Sequence, residues 1–294
     1  MHKDPLMPGL GILAVAAAIG LGSAPAPSAD APAVIEKMVN VGPIDLFFRI
    51  YAGGAPTVLL ESGGGLDSGE WTTFGPCLAK ATASTVVTYD RAGFGRSGLP
   101  DTPYDLAQET GWLWAALEKL GLDKNIILAG HSYGGLLLRH EAATRPGAVR
   151  GLVFIDPFTV EFVDLMGIDY CNGREGLGKL PRLSPEQYAG LSKQDRADLR
   201  MAGYPGGNLA AKCDLLRPLA YPQDIPVRII TSGRTWMREN EMPAWRQAHQ
   251  RLAASIAGAK LVVASESDHM IHERQPDLVI KAVAEVIAES RTPR

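Results

Sequence analysis

Residues 130–134 read Gly-His-Ser-Tyr-Gly, with an apolar run, Ile126-Ile-Leu-Ala, before them and a helical pattern after them. A serine in this spacing suits nucleophilic chemistry. On a sharp strand-to-helix turn its hydroxyl projects above a sheet in strained backbone geometry, and the flanking glycines let strand and helix approach without Cβ clashes. The new helix also points its first N–H groups at developing negative charge. Composition alone gives about 0.2 such matches by chance, so the flanking strand and helix carry the inference. A serine hydroxyl is a poor nucleophile at neutral pH and needs an adjacent base. Of the six histidines, His269 falls just after the last strand pattern, on the sheet edge where Ser132 projects. His272 is expected to be a lid or surface contact. His131 flanks the nucleophile with its ring pointing away, His140 and His249 fall in helical patterns, and His2 precedes the folded region.

The elements that must position these residues are short β-branched runs alternating with helical patterns, the signature of a mostly parallel sheet covered by helices. Strands are expected over Ile44–Tyr51, Thr57–Glu61, Thr85–Asp90, Asn125–Gly130, Arg150–Asp156, Val227–Ser232 and Lys260–Ala264. Helices are expected over Asp105–Leu120, Gly134–Arg145, Ala244–Ala257 and Asp277–Ser290. The last shows an apolar stripe at 3.6-residue spacing, and Pro276 stands at its start. Residues 158–224 break the alternation and read as a helical lid (cap) such as Pro185–Leu199 would supply, inserted into a core of residues 31–157 and 225–294. A structureless loop of that length would be unusual.

The chain has 294 residues, 46% hydrophobic and 21% charged, which excludes a disordered protein. Lys+Arg 29 against Asp+Glu 32 leaves a net charge of −3, with no field of one sign to gather phosphate backbones. Nucleic acid is therefore not an expected partner; a small-molecule acyl substrate is. Residues 1–30 pair a weakly basic head with a short apolar segment and a small-residue exit, Ser23-Ala-Pro-Ala-Pro-Ser-Ala-Asp30. That pattern reads as a signal peptide cut near Ala24 to Ala31, leaving an exported (periplasmic or extracellular) enzyme with no stable membrane span in the mature chain. Three cysteines are too few for a disulfide scaffold. In an oxidising compartment Cys171 and Cys213 could pair, with two reduced buried thiols as the alternative, and Cys77 would stay free. No ligand cluster is visible, so neither metal nor organic cofactor is expected.

Four segments together resemble the α/β-hydrolase superfamily, in that family's order and over most of the mature chain. Thr57-Val-Leu-Leu-Glu-Ser-Gly63-Gly64-Gly65 followed by Trp71 resembles its oxyanion-hole strand and loop. Tyr89-Asp90-Arg91-Ala-Gly93-Phe-Gly95-Arg96-Ser97 resembles its Asp-x-x-Gly-x-Gly-x-Ser turn. The Ser132 motif and Asp268-His269-Met-Ile-His272-Glu-Arg-Gln-Pro276 complete the set. The resemblance implies an α/β-hydrolase fold with a lid and an oxyanion hole made by the N–H groups of Tyr133 and Gly64. This loop opens Ser62-Gly63 where the family often has His-Gly, which leaves the donor's position open by one residue. Asp90, Arg91 and Arg96 are expected to brace the turn. Many members carry the catalytic acid after the strand that follows the lid, yet Thr231-Ser232-Gly233-Arg234-Thr235 offers none there. Asp156, at the end of the preceding strand as in a minority of members, leads; Glu239 and Glu241 are the alternatives.

These residues lead to a serine hydrolase that cleaves a carboxylic ester or related acyl bond through an acyl-enzyme on Ser132, with His269 as base and Asp156 as acid. Acyl transfer, C–C, amide or lactone hydrolysis, and perhydrolysis would use the same triad, and a silent ligand-binding relative is the non-enzyme alternative. Phe158, Phe162, Leu165, Met166, Tyr170, Tyr188 and Tyr204 would line either an acyl pocket or the lid's own core.

Overall fold

The computed structural model describes residues 32–167, 183–201 and 209–291, with side chains from 212 in the last stretch. Eight strands form one sheet: β1 (Val34–Asn40), β2 (Asp45–Tyr51), β3 (Gly54–Glu61), β4 (Ser84–Tyr89), β5 (Ile126–His131), β6 (Val149–Ile155), β7 (Val227–Ser232) and β8 (Lys260–Ala264). Their order is β1-β2-β4-β3-β5-β6-β7-β8. β1 pairs antiparallel with β2 and β2 with β4; the rest are parallel. This is the α/β-hydrolase fold.

Alternation along the strands builds two cores. Leu59, Leu128, Leu152, Phe154 and Ile229 face one side, against Leu113, Trp114 and Leu117 of α2 (Leu106–Leu120) and Leu138 of α3 (Gly134–Thr144). Val58, Leu60, Ile127, Val153 and Ile155 face the other, against Leu78 of α1 (Phe74–Thr82) and a stripe on the C-terminal helix over Pro276–Ser290. Each of these side chains is fully buried or nearly so, and burying a large aliphatic side chain contributes about 1.5–3 kcal/mol. Capping sets the helix ends. Asp105 and Gln108 form a reciprocal capping box at the start of α2, and Gly121 closes it in the left-handed conformation, φ 70°.

Between β6 and β7 the described chain forms α4 (Val160–Met166), α5 (Pro185–Ala189), α6 (Lys193–Met201) and α7 (Leu209–Leu216). The single helix expected over Pro185–Leu199 is two. Ser184 caps the first, which stops at Gly190, and the Ser192 hydroxyl accepts the Asp195 N–H at 3.0 Å as the second begins. Phe162 is fully buried against Trp245 of α8 (Met242–Ala254), so it belongs to packed core and does not line a pocket. Tyr170, Tyr204 and Cys171 lie outside the described residues, as does the leader; Cys213 is buried and Cys77 exposed. Outside residues 158–224, β1, α1, the 3-10 turn Ser68–Trp71 and the short helix Ile271–Arg274 went unread in the sequence. The chain ends through α9 (Ile271–Arg274) and α10 (Pro276–Ser290). No helix among the described residues is long and apolar enough to cross a membrane.

Candidate active site

The order of the strands reverses around β3: the chain goes from β3 to β4 on one side and then to β5 on the other. The crevice at the carboxyl ends of β3 and β5 is thus a topological switch point, where open α/β sheets bind ligands. The loop after β3 carries Gly63 and Gly64, and the turn after β5 carries Ser132.

Ser132 has φ 50°, the left-handed region that a non-glycine residue seldom occupies. The turn is fixed by Ser132 N–H donating to Ile155 O at 3.1 Å and by Gly135 and Phe158 N–H donating to Ser132 O at 2.9 and 2.8 Å. A Cβ at Gly130 would lie 2.6 Å from Leu138 Cδ1 and 3.0 Å from the Gly134 backbone, and one at Gly134 would lie 2.8 Å from Glu61 O. Crowding therefore forces both motif glycines.

Asp156 follows β6 with φ 42°, a second left-handed turn. Its carboxylate is completely buried. Oδ2 accepts His269 Nδ1–H at 2.7 Å, while Oδ1 accepts Ser232 N–H at 2.8 Å and Trp245 Nε1–H at 3.0 Å. Burial alone would raise the carboxyl; the His269 hydrogen bond and these donors outweigh it and hold its pKa below the usual value. An ionised acceptor on Nδ1 leaves Nε2 of a neutral His269 as the lone-pair nitrogen. Burial, joined by the charge of His131, holds the His269 pKa down. The ring stacks on Trp236, centroids 3.7 Å apart at 14°. The carboxylate on His269 is thus that of Asp156; Glu239 is exposed, and Glu241 is buried at the N-cap of α8.

Arg91 holds the glycine loop from behind, donating to Ser62 O at 2.7 Å and Gly63 O at 2.5 Å. Asp90 accepts Ser68 N–H and Arg96 N–H, at 2.8 and 2.7 Å. Gly63 N–H is engaged by Glu70 Oε2 at 2.8 Å, whereas the N–H groups of Gly64 and Tyr133 make no hydrogen bond among the described residues. A Cβ at Gly64 would stand 3.5 Å from Tyr133 Cβ, so the two unengaged donors are neighbours.

His140 and His249 lie in helices as expected, whereas His272 and His131 depart from the sequence expectations. His272 is not a surface or lid contact: it is buried, its ring 4.5 Å from Trp71 and 5.0 Å from His131, because α9 turns it inward. His131 points beneath the glycine loop, its ring 4.4 Å from that of His269. His249 is buried between Thr231 Oγ1 and Pro157 O, both at 2.8 Å. Glu70, His131 and His272 form a buried cluster that no sequence signal announced, since Glu70 sits in a single short turn after the glycine loop, where no periodic pattern marks an inward face. Two ligands of one tetrahedral transition ion stand about 3.3 Å apart. His131 Nδ1 and Glu70 Oε1 are 2.5 Å apart, a hydrogen-bond distance that does not fit a shared ion.

Comparison with known proteins agrees with this architecture. A profile described as "Alpha/beta hydrolase family" matches residues 58–282. The chain belongs to the alpha/beta hydrolase family. This hydrolase is 31% identical over 115 residues to a putative carbamate hydrolase, RutD, of Azorhizobium caulinodans. The match covers 39% of this chain and 42% of the relative, less than half the length of either. In structure it is similar to the haloalkane dehalogenase DatA from Agrobacterium tumefaciens, with TM-score 0.62 and 18% identity over 87% of this chain and 97% of that one. It is similar also to the enol-lactonase from Burkholderia xenovorans, with TM-score 0.59 and 19% identity over 86% and 100%. At these identities the structural likenesses speak for the fold; membership of the family makes the hydrolase an enzyme of the hydrolase class.

Proposed function

We propose that this enzyme cleaves a carboxylic ester, or a related acyl bond of a small molecule, through an acyl-enzyme on Ser132. The observation that carries the proposal is the 2.7 Å hydrogen bond from His269 Nδ1 to the buried Asp156, formed at the same sheet edge as the left-handed turn at Ser132. Ser132 Oγ attacks the substrate carbonyl while its proton passes to His269 Nε2. The N–H groups of Gly64 and Tyr133 receive the oxyanion. His269 then gives the proton to the leaving alcohol, and a water deprotonated by the same nitrogen releases the acid. Asp156 keeps the imidazole in the required tautomer and stabilises the imidazolium. A serine at the elbow, where a displacement at carbon would need a carboxylate nucleophile, favours carbonyl substrates. Carbamate and enol-lactone, in the names of two similar proteins, are of that kind.

The helices between β6 and β7 are read as a lid over this crevice. Met201, at the end of α6, stands 3.4 Å from a Cβ built on Gly64, which supports that placement. Removal of residues 1–30 on export is the accompanying proposal for location; mass spectrometry of the mature N-terminus in periplasmic and culture fractions tests it.

Hydrolysis of p-nitrophenyl esters from acetate to palmitate, with Ser132→Ala as control, tests the function. The expected result is turnover and fluorophosphonate labelling by the parent enzyme, and neither by the variant. Turnover that survives in Ser132→Ala would refute the acyl-enzyme.

A further inference from the structure

Behind the Ser132 turn lies a group of titratable side chains that this reaction does not use. Glu70 belongs to the 3-10 turn Ser68–Trp71, His131 ends β5 and His272 lies in α9; their side chains are at most 1% exposed. Glu70 Oε2 accepts the Gly63 N–H at 2.8 Å, and Oε1 lies 2.5 Å from His131 Nδ1. His131 Nε2 lies 3.1 Å from the carbonyl oxygen of His269. A carbonyl only accepts, so Nε2 carries a proton, and two lone pairs do not approach to 2.5 Å, so the Glu70 contact holds one as well. The three contacts run without a break from the glycine loop, through the residue before Ser132, to the backbone of His269.

We infer that Glu70 and His131 are positioning residues, a buried couple in close contact that holds the Gly64 loop, the Ser132 turn and the His269 loop in one register. This rests on the Ser132 and His269 chemistry proposed above. The couple is also charged. Burial would lower the pKa of His131, but the Glu70 carboxylate outweighs it and raises it; burial would likewise raise Glu70, and His131 brings it below the usual value. The titratable groups set around His269 are Asp156 from the end of β6, His131 from the end of β5, Glu70 from the 3-10 turn and His272 from α9. The last is neutral, held at about 3 by burial. Asp156 favours the imidazolium, and the nearby His131 cation opposes it.

Two substitutions separate register from charge. Glu70→Ala removes both acceptors. Glu70→Gln keeps both links, its carbonyl accepting from Gly63 and its amide donating to a neutral His131, while the charge disappears. Steady-state hydrolysis of p-nitrophenyl acetate, measured between about pH 5 and 9, reads both effects. Glu70→Ala should lose about 10²-fold in kcat with KM within a few-fold, as expected for displaced catalytic groups. Glu70→Gln should recover most of that loss, with the acidic limb of kcat/KM at higher pH than in the parent. A folded Glu70→Ala with parental kcat overturns the inference. If Glu70→Ala does not fold, an unmoved acidic limb in Glu70→Gln overturns it. Failure of the parent enzyme to react with a fluorophosphonate would count against the serine mechanism instead. The His269 ring-proton titration, followed by NMR in parent and Glu70→Gln, would then still decide the couple: a higher pKa in the variant supports it and an equal one refutes it.

Discussion

Asp156 has one oxygen held by two donors and the other facing His269, and that asymmetry makes its replacement informative. In Asp156→Asn the amide oxygen can still accept from Ser232 N–H and Trp245 Nε1–H. The NH2 group then faces His269 Nδ1, which must become the acceptor, and the ring proton moves to Nε2, the atom that receives the Ser132 proton in the proposed mechanism. We expect kcat to fall by about 10⁴-fold, the size of effect seen when a catalytic histidine is put in the wrong tautomer. Circular dichroism should show a folded variant, and Glu239→Gln should keep parental turnover. Collapse of Glu239→Gln or Glu241→Gln beside an active Asp156→Asn would move the acid elsewhere. The pKa of His269 makes a second prediction at this scale. As the proposed base His269 would work when neutral, and its pKa is held below the ordinary 6.5. The acidic limb of kcat/KM should therefore lie below pH 6.5, with activity sustained into mild acid. A limb above 6.5 would show that Asp156 outweighs burial and the His131 charge.

Individual elements were legible where their pattern answered to a single neighbour. β7 and β8 were read at their full extent, Val227–Ser232 and Lys260–Ala264: β7 is a wholly buried run, and β8, an edge strand with Lys260 and Val263 exposed, is still a short β-branched run bounded by turn residues. β1 escaped because it is an edge strand whose Val34, Ile35 and Met38 stay exposed, so no buried face marks it. α1 escaped because nine residues with Gly75 and Pro76 near the start carry little periodicity. Ser132, His269 and Asp156 could be picked out because each closes or follows a strand. Glu70 and His272 could not, because what turns them inward is the packing of two short turns against Trp71. The sequence is also silent on how closely β6 and α10 approach. A methyl at Gly151 would stand 2.3 Å from Val286 Cγ1 and 3.1 Å from Ile127 Cδ1, and a buried valine has no rotamer with which to yield. Gly151→Ala should cost roughly 1–3 kcal/mol and lower Tm by about 2–10 °C, with kcat per folded molecule unchanged. Thermal unfolding checks this, and an unaltered Tm would mean that helix and sheet part more easily than their packing implies.

Across the whole molecule, the sheet and its helices enclose a charge network that does not balance. Glu61, Glu109 and Glu141, all at most 5% exposed, face two cations, Arg91 and Lys212. Tyr89 OH donates to Glu61 at 2.7 Å, Arg91 lies 3.7 Å from Glu61 and 3.9 Å from Glu109, and Lys212 lies 3.9 Å from Glu109. Three carboxyl groups against two cations become neutral when one proton is held. Burial pushes Glu61 up to about 7 and, with the charge of Glu61, pushes Glu141 well above the usual range. These shifts set the sign of a stability effect. An unfolded glutamate loses its proton near 4.5, while the folded chain keeps one on this network. Wherever the folded state holds the extra proton, each unit of rising pH removes about 1.4 kcal/mol of stability. The contribution is complete below the unfolded pKa and is lost as pH climbs through the folded one. Glu141→Gln supplies the same donor toward Glu61 without a proton to lose. The Tm of this variant relative to the parent should therefore be lowest in acid and rise steadily towards alkaline pH, with the variant the more stable chain above neutrality. A difference that stays level across the range would mean that Glu141 is already ionised in the folded enzyme and that Arg91 and Lys212 suffice to hold it so.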